Sequence, residues 1–131
     1  MLERLAKLDQ NVSSLEMLRA ENAPEAFGSS ITLQWALRYG LIESIQIVID
    51  TACEVCSKNN LGVPSSYGDC VRLLARARYL SSDCAEELVK VIGLRNLLIH
   101  EYTAIDTGRL YGFLAQLDIF RRYAKELRPY L

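Results

Sequence analysis

The stretch from Ser30 to Asn59, SITLQWALRYGLIESIQIVIDTACEVCSKN, contains no proline and a single glycine. A run that long without a breaker fits one regular conformation, an α-helix about 45 Å long at 1.5 Å per residue. Its start falls at Ser29 or Ser30. Apolar residues fall on more than one side of its wheel, which marks a central helix buried by neighbours rather than a surface helix with one apolar stripe. Gly40 lies inside it. An interior glycine costs a helix roughly 1 kcal/mol relative to alanine, so a close approach by another helix is expected there.

The rest of the chain supplies the covering helices. Leu5, Leu8, Val12, Leu15 and Leu18 recur at helical spacing over about Leu2 to Glu21. Pro24 and Gly28, in ENAPEAFGSS, break that pattern. NNLGVP ends the long helix, with Gly62 as its stop signal and Pro64 beyond. A third helix opens at SSYGD, where Ser66 and Asp69 outline a capping box. A fourth runs from Ser82 or Asp83 to about Glu101. TAID follows, and Asp106 is a candidate N-cap for a fifth helix that ends before Pro129. No alternating strand pattern or repeat appears. The expected fold is all-α, an up-and-down bundle of about five helices in one domain spanning residues 1–131.

Charge narrows the function. The chain carries 15 Lys and Arg against 16 Asp and Glu, a formal net charge of −1. That excludes binding of nucleic acid by bulk positive charge; any contact with a polyanion must use a local patch. The N-terminus is charged from its third residue and reads as helix, not as a leader, and no apolar run reaches membrane-spanning length. A cytoplasmic protein with no membrane contact is expected. Cys53 and Cys56 form a CxxC, but Cys70 and Cys84 stand apart and supply no second close pair for zinc. All four are expected to be buried small hydrophobes, with no metal site and no cofactor.

The chemistry-bearing stretch is GLRNLLIHEYTAID, residues 93–106, which holds the only histidine. On a wheel with Leu88 at zero, Ile92, Ile99, Val91 and Leu98 form an apolar face, and Arg95 falls inside it at about 340°. A guanidinium there cannot shed its proton. It must join an ion pair, snorkel to the helix end, or line a polar cleft. His100, at the helix C-terminus, is either a cap that complements the helix dipole or a proton-transfer group. Arg95 and His100 diverge by about 140° on one straight helix. They converge if the helix ends near His100, or if two copies meet about a two-fold axis.

The pattern Arg95-Asn96-x-x-x-His100-x-Tyr102 resembles the R-x4-H-x-Y motif of HEPN-domain proteins, specifically the HepT toxins. GVPSSYGDC resembles the G-x-P-x-x-Y connection of that family. The long apolar helix, this connection, the motif and a tyrosine at Tyr111 follow in the family's order over roughly residues 1–128. The resemblance implies a helical bundle that forms a homodimer, with the two motifs in one cleft, and a metal-independent endoribonuclease. His100 would serve as general acid/base, Arg95 would hold the phosphate, and Asn96 would assist it. The implied partner is an MNT-type nucleotidyltransferase antitoxin that transfers AMP to Tyr102. Glu101 adds a carboxylate between the two motif residues. Arg72, Arg76, Arg121, Arg122 and Lys125 are the candidates to track RNA, unless they only form solvated helix faces. Two other readings use the same residues: a non-catalytic subunit that binds a nucleotide or the nucleotidyltransferase, and a structural helical dimer with a buried arginine.

Overall fold

A computed structural model describes residues 1–100 and 107–131, all but the side chains of His100 and Thr107. The described helices are α1 (Leu2–Glu21), α2 (Pro24–Ser29), α3 (Ile31–Lys58), α4 (Tyr67–Arg76), α5 (Ser82–His100), α6 (Thr107–Gly112) and α7 (Asp118–Leu127), with 3₁₀ turns at Phe113–Gln116 and Arg128–Tyr130. Among the described residues there is no strand, and the architecture is the expected all-α bundle. No described helix is long and apolar enough to cross a membrane.

Helix α3 is the axis. It packs against α1, α4, α5 and α7, as its two-sided apolar pattern requires. Leu37, Leu41, Ile45, Val48, Ala52 and Val55 join Leu5, Leu8 and Val12 of α1 and Leu88 and Leu98 of α5 in one continuous core. Gly40 faces α1 closely: a Cβ there would stand 2.7 Å from Leu15 Cδ2. Two buried hydroxyls are satisfied inside this core. Thr51 Oγ1 and Tyr123 Oη lie 2.6 Å apart, and Thr51 also donates to the Ile47 carbonyl at 2.7 Å.

Two expectations are corrected and one short helix is added. The first helix ends at Glu21 as expected, and Pro24 starts the added helix α2, where the missing N–H costs nothing because the first helical turn has no acceptor for it. The single C-terminal helix is divided in three. After Gly112 the chain tightens into a 3₁₀ turn before resuming as α7, with Leu110, Leu114 and Leu117 all buried. Asp106, the expected cap of that segment, lies outside the described residues. Finally, the cysteines are not all small hydrophobes. Cys53 of α3 is disulfide-bonded to Cys70 of α4, while Cys56 and Cys84 remain free and buried. The CxxC spacing gave no sign of this bond. Cys53 sits one helical turn from Cys56, and only the packing of α4 on α3 brings Cys70 within reach.

Helix α4 begins as its sequence suggests. The Ser66 hydroxyl accepts from the Asp69 N–H at 3.3 Å. The Asp69 carboxylate, shorter than the usual glutamate, reaches one residue further out and accepts from the Ser65 N–H at 2.9 Å and from the Ser65 hydroxyl. These bonds, with Arg72 beside them, lower the Asp69 carboxyl from its ordinary 3.8 to about 2.

Candidate functional site

The N-terminal turns of α4 cross the C-terminal half of α5, and between them lies a cleft of about 300 Å³. Arg95, Asn96 and Gly93 line it from α5; Tyr67, Gly68 and Arg72 line it from α4. Gly93 has nothing within 4 Å of where a Cβ would stand, and Gly68 meets only ordinary contacts, so the cleft stays open between the helices.

Arg95 is half-buried. Its Nε donates to Gln46 Oε1 of α3 at 2.6 Å. The amide is itself fixed, because Gln46 Nε2 donates to Asp50 Oδ1 at 2.8 Å, which turns the oxygen towards Arg95. The Tyr67 ring lies against the guanidinium, its centroid 5.7 Å from Cζ. Among the described residues no carboxylate lies within ion-pair distance of Arg95. Among the described residues, then, Arg95 forms no ion pair and lines a polar cleft. A guanidinium held along one edge by a neutral amide can receive an anion on its two terminal nitrogens.

The other expected residues divide. Asn96 is exposed at the cleft wall, and Arg72 shares the cleft while paired with Asp69 at 3.0 Å. His100 ends α5, and its side chain is outside the described residues, as are Glu101 and Tyr102 entirely. Arg38 of α3 reaches the last turn of α5, where its Nη1 donates to the Leu98 carbonyl at 3.5 Å, a cation at a helix C-terminus. Arg76 and Lys125 lie along the outer end of α4, beside Arg122. Arg122 donates to Glu126 at 2.9 Å and to Ser81 Oγ at 2.8 Å. Arg121 turns the other way and pairs with Glu16 of α1, so α7 does not present its basic residues as one face. Tyr111 packs edge-on to Phe27, with ring centroids 5.1 Å apart. Among the described residues no group of three or more His, Cys, Asp or Glu is arranged to hold a metal ion.

Sequence reasoning missed Gln46, Tyr67 and Arg38. Gln46 lies 49 residues from Arg95 and carries no motif. Tyr67 stood in the G-x-P-x-x-Y pattern without an assigned role.

The all-α bundle is matched by known proteins. A family model, "Ribonuclease HepT-like", matches residues 2–127, and the chain belongs to that family. The mRNA nuclease HepT of Shewanella oneidensis is 24% identical over 105 residues, covering 80% of this chain and 77% of that protein. The putative RNase YutE of Bacillus subtilis is 27% identical over 88 residues, covering 66% of this chain and 61% of YutE. Among solved structures, the tri-AMPylated Shewanella oneidensis HEPN toxin in complex with its MNT antitoxin superposes with a TM-score of 0.88 at 21% identity, covering 98% of this chain and 96% of that one. Bacillus subtilis YutE, described as a cytosolic protein, gives 0.84 at 22% identity, over 98% and 86% of the two chains.

Proposed function

We propose that the protein is a metal-independent endoribonuclease and the toxin of a toxin–antitoxin pair. The observation that carries the reading is Arg95: a positioned guanidinium without a carboxylate partner among the described residues, five residues before the chain's only histidine. RNA brings its own nucleophile. The 2′-oxygen attacks the adjacent phosphorus, the bond to the 5′-oxygen breaks, and the products are a 2′,3′-cyclic phosphate and a 5′-hydroxyl. Each step needs one proton moved. His100 takes the proton from the 2′-hydroxyl, and His100 of a second copy gives one to the leaving oxygen. Arg95 bears the charge that builds on the phosphoryl oxygens, with Asn96 as an additional donor.

A homodimer supplies that second copy. On α3, Ile31, Trp35 and Tyr39 are 60%, 64% and 65% exposed at i, i+4 and i+8 spacing. Gln46, which holds Arg95, lies about two turns further along the same helix. An unpartnered stripe on that helix supports an isologous interface beside the site. Silencing by AMP is a reading supported by one similar structure, the Shewanella oneidensis HEPN toxin, which is tri-AMPylated and in complex with an MNT antitoxin. Here an MNT-type nucleotidyltransferase would direct the Tyr102 hydroxyl onto the α-phosphorus of ATP, releasing pyrophosphate. The AMP left behind brings a negative charge to a site that seeks phosphate, and excludes RNA.

The test is RNA cleavage by purified protein in EDTA, wild type against His100→Ala, after intact mass has shown that the protein carries no AMP. Cleavage by the wild type alone is expected. No cleavage by unmodified wild type rejects the nuclease reading and leaves a nucleotide- or partner-binding subunit.

A further inference from the structure

We infer that single-stranded RNA reaches the Arg95 cleft along a basic groove between α4 and α5, which ends at an aromatic platform made by Tyr79 and Tyr130. The inference rests on the ribonuclease reading for its ligand class. The groove itself is read from the surface. The Arg95 cleft shares Arg72 and Val89 with a neighbouring cavity of about 500 Å³ on the outer face of α4 and α5. That cavity shares Ala75, Arg76 and Ser82 with a third, of about 870 Å³, at the junction of α4, α5 and the C-terminus. The three form one channel. Along α5 it runs from Asn96 back to Ser82, about 21 Å at 1.5 Å per residue, the length of a few nucleotides.

The channel is basic in a chain that is not. Arg95 and Arg72 stand at the cleft, Arg76 and Lys90 in the middle, and Arg78, Arg122 and Lys125 at the far end. The carboxylates along it are Glu86, Glu126 and the Asp69 that pairs with Arg72. Basic residues therefore outnumber acidic ones here by about two to one, whereas over the whole chain acids are in slight excess.

Two further features point to a nucleic-acid strand rather than an acidic protein surface. At the far end Tyr79 and Tyr130 stack in parallel, with centroids 4.4 Å apart and planes within 3°. Tyr79 packs on the core and Tyr130 is half-exposed, so the open area of the stack is the outer face and edge of Tyr130. A flat ring beside a basic groove is how single strands are gripped without regard to sequence. Tyr67, also half-exposed, provides a ring at the Arg95 end.

The second feature is Arg78. Helix α4 closes with the Tyr79 N–H on the Leu74 carbonyl at 2.8 Å and the Arg78 N–H on the Ala75 carbonyl at 3.0 Å. This closure puts Arg78 at φ 67°, in the left-handed region where glycine or asparagine is the ordinary occupant. The equivalent position after α3 is asparagine, Asn60 at φ 50°. Arginine at a position where glycine folds better points to a use for its charge at the mouth of the groove.

The experiment measures affinity for a labelled oligouridine of about eight nucleotides, long enough to span the groove, across a salt series. The full chain with His100→Ala keeps the RNA intact, and cleavage is followed in parallel with His100 present. Adding Arg78→Gly should flatten the log–log salt slope by about 0.7, one phosphate contact on a single strand, without lowering Tm. Adding Tyr130→Ala should weaken binding about tenfold and leave the slope unchanged. Arg4→Ala, which removes the same charge from α1, should do neither. RNA that is cleaved but bound equally by all variants overturns the groove and leaves the nuclease reading standing. RNA bound with this dependence on Arg78 and Tyr130 but never cleaved supports the groove and rejects the nuclease. RNA neither bound nor cleaved rejects both. Unchanged RNA affinity with loss of a co-purified nucleotidyltransferase makes the groove a protein interface and also overturns the inference.

Discussion

Replacing Arg95 with methionine separates a functional arginine from a structural one. Methionine keeps the length and the apolar stem, so the change removes only what the guanidinium does. In the folded protein that is one charged hydrogen bond to Gln46 and one ring contact with Tyr67. The first is worth about 1.5–3 kcal/mol and the second about 0.5–1 kcal/mol. Removing a half-buried charge returns part of this, which leaves a net loss of about 1–2 kcal/mol. With an unfolding entropy of roughly 2.1 cal/mol/K per residue, that is a fall in Tm of about 4–7 °C at fixed protein concentration. Breaking a buried ion pair would cost about 3–5 kcal/mol, more than twice as much. Catalysis should respond on another scale. Loss of one donor to the charged transition state lowers kcat by about 10²–10³. Calorimetry and a single-turnover RNA assay on the same preparation give both numbers. A Tm drop above about 10 °C, with activity reduced only in proportion to the folded fraction, would refute the reasoning and make Arg95 a structural residue.

Other outcomes follow from single contacts. Reducing the Cys53–Cys70 bond, which closes a loop of sequence separation 17, should lower stability by about 3 kcal/mol in denaturant titrations. Before unfolding, iodoacetamide should find no reactive thiol: burial pushes the Cys56 thiol up and, with Glu126 nearby, the Cys84 thiol to about 12. Gly93→Ala should stabilise the protein by about 1 kcal/mol, because nothing occupies the space its Cβ needs. Gly40→Ala should instead destabilise it by about 1–3 kcal/mol, since the buried Leu15 must move; equal effects at the two glycines in urea unfolding would contradict this account of the packing. Asp69 should titrate by NMR at about 2, and Ser65→Ala should raise that midpoint towards 3.8. Because the folded value is depressed, whatever Asp69 adds to stability is present above about pH 4 and is lost as pH falls through about 2.

What the sequence carried is what local chemistry decides. The breaker-free run from Ser30, the glycine at its crossing with α1 and the Ser66 cap follow from residues within one or two turns of each other, and all three are found. What it hid depends on partners set by packing. The break before Pro24 was legible, but the short helix α2 that follows it, with Phe27 buried in the core, was not. Leu110, Leu114 and Leu117 are spaced for one face of a continuous helix, so their pattern gave no sign that the chain tightens into a 3₁₀ turn after Gly112. The site divides in the same way. The wheel placed Arg95 where a partner or a cleft was required, but the choice between them waited on Gln46 and Tyr67, from two other helices. Arg121 and Arg122 are adjacent in sequence and serve different sides of the molecule.

The measurement that tests the central claim most directly is end-group analysis by mass spectrometry. One RNA and its 2′-O-methyl counterpart are incubated in EDTA with unmodified protein. The account predicts a 2′,3′-cyclic phosphate and a 5′-hydroxyl from the RNA, and no cleavage of the methylated strand, whose nucleophile is blocked. Cleavage of the methylated strand, or products bearing 5′-phosphate, would contradict it, because neither can arise from attack by the RNA's own 2′-oxygen.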